Sequence, residues 1–267
     1  MTDYVDSYSA REAQRLHDQA HTLSALLHDD TRYAPGSRVL EVACGVGAQT
    51  AILLRNSPGV RLTSIDIAHG SLVQARAQAR AQGAGEPRFC RCDLYAPPYA
   101  DAAFDHLFLC FVLEHLADPP RALRGLLRVL KPGGTCTVIE GDHGSCYFHP
   151  HTAAAQRAWD CLIRVQAALG GDSLIGRRLY PLLRAAGLRE LAVSPRNVYC
   201  DAGRPAWMDG FVMKTIIPMV EGVREAALAG GLIDADTWAQ GIADLHATGR
   251  APQGTFCYTF FKGVGRK

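Results

Sequence analysis

The stretch Glu41-Val42-Ala43-Cys44-Gly45-Val46-Gly47-Ala48 puts a carboxylate just ahead of two closely spaced glycines. Glycines let a backbone approach a ligand closely, and the amides of a following helix add hydrogen-bond donors. A dinucleotide site needs a third glycine for the pyrophosphate, in the pattern G-x-G-x-x-G, and Thr50 stands at that place here. Glu41 would repel a pyrophosphate and suits a cationic ligand. Asp66 follows Gly45 by 21 residues, a placement suited to gripping ribose hydroxyls. Together these residues describe a nucleoside ligand with a ribose and a positive group, and without phosphates.

A second cluster is Glu140-Gly141-Asp142-His143-Gly144-Ser145-Cys146-Tyr147-Phe148-His149-Pro150-His151. Three uses of it compete. His143 can serve as a base toward a bound substrate, with Tyr147 or His149 as its binding partner. Asp142, His143 and His149 or His151 can hold a metal ion that chelates an enolisable or catechol-like substrate. Or the segment braces the structure that follows it. We take His143, Tyr147 and His149 as the candidate catalytic residues and assign no metal.

Elements that would hold these groups follow from the hydrophobic pattern. Apolar positions recur at helical spacing from Arg11 to Leu27. Residues 38–43 read as a buried strand, 49–55 as a helix, 60–67 as a strand ending on Asp66, and 71–82 as a helix. Residues 88–92 and 104–111 read as further strands. Asp118-Pro119-Pro120 opens a helix with the face Leu123, Leu126, Leu127 and Leu130, and 135–140 is a fifth strand. This alternation specifies a parallel, doubly wound sheet. In the second half, 152–169 and about 174–186 read as helices, 188–193 and 198–200 as extended. Residues 204–230 and 234–246 read as helical, and 255–264 as a last strand rich in aromatics.

Composition excludes several classes. The 267 residues are 48% hydrophobic and 20% charged, which is ordinary for a globular enzyme or binding module. Lys+Arg 28 against Asp+Glu 26 leaves a net charge of +2, too balanced for a phosphate-backbone binder. No apolar run reaches membrane-spanning length, and Met1-Thr2-Asp3-Tyr4 opens without a leader, so a cytoplasmic protein is expected. The nine cysteines read as reduced, since Cys90-Arg91-Cys92 is neither a zinc knuckle nor a redox CxxC. The many arginines are scattered among alanines, as on a solvated helical face.

Glu41 to Ala48, Asp66, Cys92-Asp93-Leu94, the strand from Phe104-Asp105 to Phe111, Leu113-Glu114-His115-Leu116 and Arg128-Val129-Leu130-Lys131-Pro132-Gly133-Gly134 come in that order. Together they resemble the class I S-adenosylmethionine-dependent methyltransferases, in their UbiE-like small-molecule branch, over residues 36–142. The resemblance implies S-adenosylmethionine as cofactor and S-adenosylhomocysteine as product. It also implies that the Gly45/Gly47 loop passes under the methionyl part, that Asp66 binds the ribose, and that Asp93 and Leu94 frame the adenine. Cys110 to Val112 would floor the methyl-donor site. Glu41, Thr50, Ile67, Phe111 and His115 join this cofactor set, as does Tyr8, because related proteins close an N-terminal segment over the cofactor; Arg11 is its alternative partner for the carboxylate. The Glu114-His115 pair lies near the cofactor in the family, often in a structural role. Ala48 departs from a third glycine that many members carry. Ala96-Pro97-Pro98-Tyr99 looks like the signature of enzymes that methylate base amines, but it follows the third strand and not the fourth, so it reads as a turn.

The expected fold is thus α/β, a doubly wound, mostly parallel Rossmann-like sheet with an N-terminal helical lid and a helical cap insertion. The expected division is 1–34 as lid, 35–142 as cofactor-binding core, 143–253 as helical cap with a late core strand, and 254–267 as final core strand. A cap of this size suits an enclosed small-molecule acceptor, methylated on C, N or O, in secondary metabolism. Tyr180, Tyr199, Trp207, Phe211 and Met213 either line that pocket or are core. Alternatives are an RNA methyltransferase and a non-catalytic cofactor-binding protein; NAD-dependent oxidoreduction is disfavoured by Thr50 and Glu41. No nucleic-acid or membrane partner is expected, and the chain would be a monomer or homodimer.

Overall fold

The backbone of residues 10–83 and 85–267, with side chains from Glu12 onward, is described by a computed structural model. Tyr8 and the Arg11 side chain lie outside the described residues. Five strands run parallel: β1 (Arg38–Val42), β2 (Arg61–Asp66), β3 (Arg88–Arg91), β4 (Phe104–Cys110) and β5 (Leu130–His149). With β6 (Arg189–Cys200) and β7 (Thr255–Arg266) they form, among the described residues, one seven-stranded sheet in the order β3-β2-β1-β4-β5-β7-β6. β7 is antiparallel to both of its neighbours. Strands β1 and β4 read as continuous apolar runs because both faces are covered: Val39, Leu40 and Val42, and Leu107, Phe108 and Leu109, are all buried. The strand order reverses between β1 and β4, which is where open α/β sheets bind ligands.

Helices α2 (Thr50–Asn56), α3 (His69–Ala81) and α4 (Pro119–Val129) flank this sheet. α4 starts as its sequence requires: the Asp118 side chain accepts the Arg121 N–H at 3.0 Å, and two prolines fill the first turn. A lid and cap lie over the carboxyl ends of the strands. They comprise α1 (Ala10–His28), α5 (Ala153–Ala168), α7 (Pro205–Trp207), a π-helical stretch Met208–Ile216, α8 (Ile217–Glu221), α9 (Arg224–Ala229) and α10 (Ala235–Arg250), whereas α6 (Leu179–Ala185) packs on the sheet beside β6, β7 and α4. Among the described residues no helix is long and apolar enough to cross a membrane.

Three differences from the sequence pattern have physical causes. The fifth strand, expected over 135–140, runs on to His149, so the histidine-rich segment pairs with β7 and the 142/143 division falls inside a strand. A register shift between Asp142 and Tyr147 is bridged by Ser145, whose Oγ donates to the Asp142 carbonyl at 2.7 Å and accepts the Thr259 N–H at 2.9 Å. β6 is one strand, not two pieces, because Pro195 sits on the sheet's edge, where a missing N–H is tolerated. The helix expected over 204–230 is broken: Thr215 Oγ1 donates to the Gly210 carbonyl at 2.8 Å, one π turn back, and Pro218 has no N–H to offer. Gly210 lies against Thr22 of α1 so closely that any Cβ there would collide with it.

The lid is fastened from below. The side chain of Lys262, 2% exposed in β7, donates to the Leu27 carbonyl at 3.2 Å and Thr31 Oγ1 at 2.5 Å, and it pairs with Asp30. Arg196 of β6 reaches Asp29 at 3.3 Å and Asp30 at 2.5 Å. Against the upward push of burial, these two cations hold the Asp30 carboxyl down to about 2.

Candidate active site

The turn after β1 is built by backbone geometry. Gly45 and Gly47 have φ of 52° and 80°, the left-handed region that glycine enters freely. At Gly47 an added Cβ would stand 2.9 Å from the Ala75 Cβ of α3, so this glycine also lets the loop settle onto the helix. Asp66 ties the turn to β2: its two carboxylate oxygens accept the Gly45 N–H at 2.8 Å and the Ala68 N–H at 2.9 Å. Each oxygen keeps a further lone-pair direction for a ligand hydroxyl. Beside it Ile67 is 56% exposed, an apolar surface at the strand end with Leu94 half-buried at the neighbouring one. Asp93 turns one oxygen back to the Tyr95 N–H at 2.8 Å.

Glu41 is buried at the head of this turn. One oxygen accepts from Thr50 Oγ1 at 2.7 Å and Ser64 Oγ at 2.6 Å, while Oε1 has no partner. Burial pushes the carboxyl up to about 7, and the two hydroxyls hold it from rising further. An orphaned carboxylate oxygen over a glycine turn fits a ligand that brings a cation.

From Glu41 a cavity of about 360 Å³ opens toward the cap. Its sheet side is Gly45, Cys110, Phe111, Glu114 and His115; its roof is Glu12 and Arg15 of α1, Leu162 and Val165 of α5, and Phe211 and Met219 of the helical run. Phe111 has φ of 58°, strained for a bulky residue, and its N–H is held by the Ile139 carbonyl at 2.9 Å. Next to it the fully buried Glu140 accepts the Val112 and Leu113 N–H groups at 3.0 and 2.7 Å. Burial and the nearby Glu114 charge push the Glu140 carboxyl up. Arg15 is clamped by Glu12 at 2.6 Å and 2.9 Å.

The far wall is His143, Tyr258 and Phe260. His143 Nδ1 lies 2.7 Å from Tyr258 Oη, and Trp159 Nε1 donates to the His143 carbonyl at 2.9 Å. The Trp159 and Tyr258 rings flank the imidazole at 5.7 and 5.8 Å. Burial lowers the His143 pKa and raises that of Tyr258, so both are neutral at pH 7. Gly141 is a glycine for a reason: a Cβ there would strike the Tyr258 hydroxyl.

Of the residues singled out from sequence, Glu41, Gly45, Cys110, Phe111, His115 and His143 line one cavity. Thr50 supports Glu41 from behind, and Gly47 serves the loop's packing. Asp66, Ile67, Asp93 and Leu94 lie outside that cavity's lining, at or just beyond the ends of β2 and β3. Tyr147 and His149 do not join His143. The register shift between Asp142 and Tyr147 reverses the alternation: His143 is buried, but beyond the shift Cys146 and Phe148 face inward and Tyr147 and His149 outward, leaving Tyr147 69% exposed. Asp142 is taken by Arg177 at 2.7 and 2.8 Å, so Asp142, His143, His149 and His151 are not brought together. Among the described residues no three His, Cys, Asp or Glu side chains form a metal-binding group. Phe211 lines the cavity, whereas Tyr180 and Tyr199 are exposed on the outside. Sequence reasoning missed Tyr258, Trp159 and Arg15; the alternation Phe256, Tyr258, Phe260 was the available signal for Tyr258.

Residues 40–138 match the family described as methyltransferase domain. A demethylmenaquinone methyltransferase of Thermus thermophilus is 39% identical over 103 residues, which are 39% of this chain and 46% of that protein. Among solved structures, the YcgJ protein of Bacillus subtilis aligns with a TM-score of 0.58 at 17% identity, over 92% of this chain and 98% of that one. The cyclase SpnF aligns with a TM-score of 0.52 at 22% identity, over 94% and 81%. The chain spans about half the length of the curated relatives it matches.

Proposed function

Residues 40–138 belong to the class I S-adenosylmethionine-dependent methyltransferases, and from that premise we propose that the whole chain moves a methyl group from S-adenosylmethionine to a small, largely apolar acceptor. The observation that carries this is continuity. Glu41, Gly45 and Phe111, on the cofactor side, line the same cavity as His143, Phe211 and Tyr258. Its volume of about 360 Å³ and its apolar walls suit a small organic molecule. The relative named for demethylmenaquinone supports a ring-bearing, quinone-like acceptor. The size of the cap favours a setting in secondary metabolism.

When bound, S-adenosylmethionine supplies an electrophilic methyl group on a sulfonium. Glu41 and the Gly45 turn would hold its amino-acid end, Asp66 its ribose, and Ile67 and Leu94 its base. Cys110 and Phe111 floor the site where the two partners meet. Phe108, Phe211, Met219 and Phe260 enclose the acceptor, exclude water and hold it in near-attack geometry. His143 is the side chain that meets the acceptor's ionisable group, at Nε2.

Calorimetry with S-adenosylhomocysteine tests the cofactor half: Asp66→Ala should weaken binding by about ten- to a hundredfold, the worth of charge-assisted hydrogen bonds. Unchanged binding would sink the assignment. Labelled methyl transfer to pooled phenols, quinols and amines tests the acceptor half. A second reading has one observation behind it: the same fold occurs in a protein named as a cyclase. Cofactor binding with turnover of a substrate but no transferred label would favour it.

A further inference from the structure

We propose that Tyr258 is a positioning residue that fixes the proton of His143 on Nε2, so that the cavity presents a hydrogen-bond donor and selects acceptors through a carbonyl, enolate or phenolate oxygen. This rests on the small-molecule methyltransferase reading above and narrows its substrate class.

The donor and acceptor count decides it. Tyr258 is buried at 1% exposure, so its hydroxyl proton must be given to a neighbour and not to water. The acceptor in reach is His143 Nδ1, at 2.7 Å. A proton on Nδ1 would set donor against donor or strand the hydroxyl proton. With Nδ1 accepting, the neutral ring carries its proton on Nε2. That nitrogen has no hydrogen-bond partner among the described residues, and His143 lines the cavity.

The surroundings hold the ring in this state. Gly141 leaves room for the Tyr258 hydroxyl, Trp159 pins the His143 carbonyl, and the aromatic rings on either side prevent the imidazole from turning. A donor at Nε2 stabilises an oxygen on which negative charge resides or develops, as in a phenolate or in an enolate methylated at carbon. It offers nothing to a protonated amine. His143 is then a donor, not the base that its sequence context suggests.

Nitrogen NMR of the labelled wild-type protein reads which ring nitrogen carries the proton, with or without turnover. The expected result is a protonated Nε2 and a hydrogen-bonded, unprotonated Nδ1. A protonated Nδ1 overturns the proposal and leaves the methyltransferase reading untouched. Tyr258→Phe should give a mixture of both tautomers; an unchanged spectrum would remove Tyr258 from the role. His143→Gln supplies an N–H near the position of Nε2 but cannot act as a base, so it should keep transfer to phenolic or enolisable acceptors within about tenfold of wild type, while His143→Ala loses about a hundredfold or more. Equal loss in the two variants, with S-adenosylhomocysteine binding intact, counts against the donor. Absence of transfer by the wild-type protein, with the NMR result as expected, strikes the activity and not the tautomer.

Discussion

In the proposed cofactor half of the site the assigned residues sit at or just beyond strand ends, whereas the proposed acceptor half is assembled from residues far apart in the chain. Gly45 and Asp66 are 21 positions apart and meet because β1 and β2 are parallel neighbours. His143 and Tyr258 are 115 apart, and Lys262 reaches across 235 positions to hold the lid at Leu27. The first half is fixed by local turns. The second depends on how β7, α1 and the helical run pack together. A substitution in the first half should therefore act through backbone strain at one point, and one in the second through loss of a long-range contact.

The largest expected effect tests the local rule. Gly47→Val forces a branched residue into φ of 80° and drives its Cβ against Ala75, backbone included, at 2.9 to 3.0 Å. Left-handed strain of about 1–3 kcal/mol and overpacking of about 1–3 kcal/mol give a loss near 4 kcal/mol. Urea unfolding measures it. A loss below about 1 kcal/mol would mean that the turn yields, and that the cofactor half is not the rigid partner in the comparison.

The next effect tests the long-range rule. Lys262→Met keeps the volume but leaves the Leu27 carbonyl and Thr31 hydroxyl without their donor. Asp30 is half-exposed and keeps Arg196, so it can rehydrate, which sets the expected loss at about 2 kcal/mol. Thermal unfolding reads the loss. S-adenosylhomocysteine affinity should fall several-fold in the same variant, because α1 forms part of the roof. Lost stability with unchanged affinity would detach the lid from the cofactor site.

The same contrast explains how much of the molecule is legible in sequence. Strands β1 to β4 and the site residues at their ends could be read because each carries its own signal: an apolar run, then Gly45, Asp66 or Asp93. Extension of β5 to His149 could not, because the polar residues there are held by pairing with a strand more than a hundred residues later. The π-helical break at Met208–Ile216 depends on Gly210 meeting Thr22, a contact with no trace in local spacing. Tyr147 and His149 shared the histidine-rich cluster with His143, and in a regular strand all three would share a face; the register shift between Asp142 and Tyr147 reverses the alternation, and proximity in sequence became separation in space.

A smaller effect is electrostatic and belongs to the cofactor side. Burial raises the Glu41 carboxyl from its ordinary 4.5 to about 7. A raised carboxyl favours the folded state below pH 4.5, and that contribution is lost as pH rises through 7. A ligand ammonium beside Glu41 prefers the ionised form, so binding below this value requires a proton to leave. Affinity for S-adenosylhomocysteine should therefore rise by up to about tenfold per pH unit on approaching pH 7 and level off above it. Glu41→Gln should flatten the profile. A slope that survives the substitution would move the titrating group elsewhere, with the histidines of the acceptor half next in line.

The smallest effect is the most discriminating for the acceptor half. Tyr147→Ala removes a ring that is 69% exposed and lies on the outward face of β5. Stability should change by no more than about 0.5 kcal/mol, the range of ordinary surface substitutions. KM and kcat for methyl transfer should both stay within twofold, since the ring neither lines the cavity nor contacts His143. His149→Ala, on the same outward face, should behave alike. Loss of turnover in either variant without loss of stability would require the end of the paired strands β5 and β7 to fold over the cavity during the reaction. The acceptor half would then be completed by a movement, and its dependence on long-range contacts would extend to residues that now face solvent.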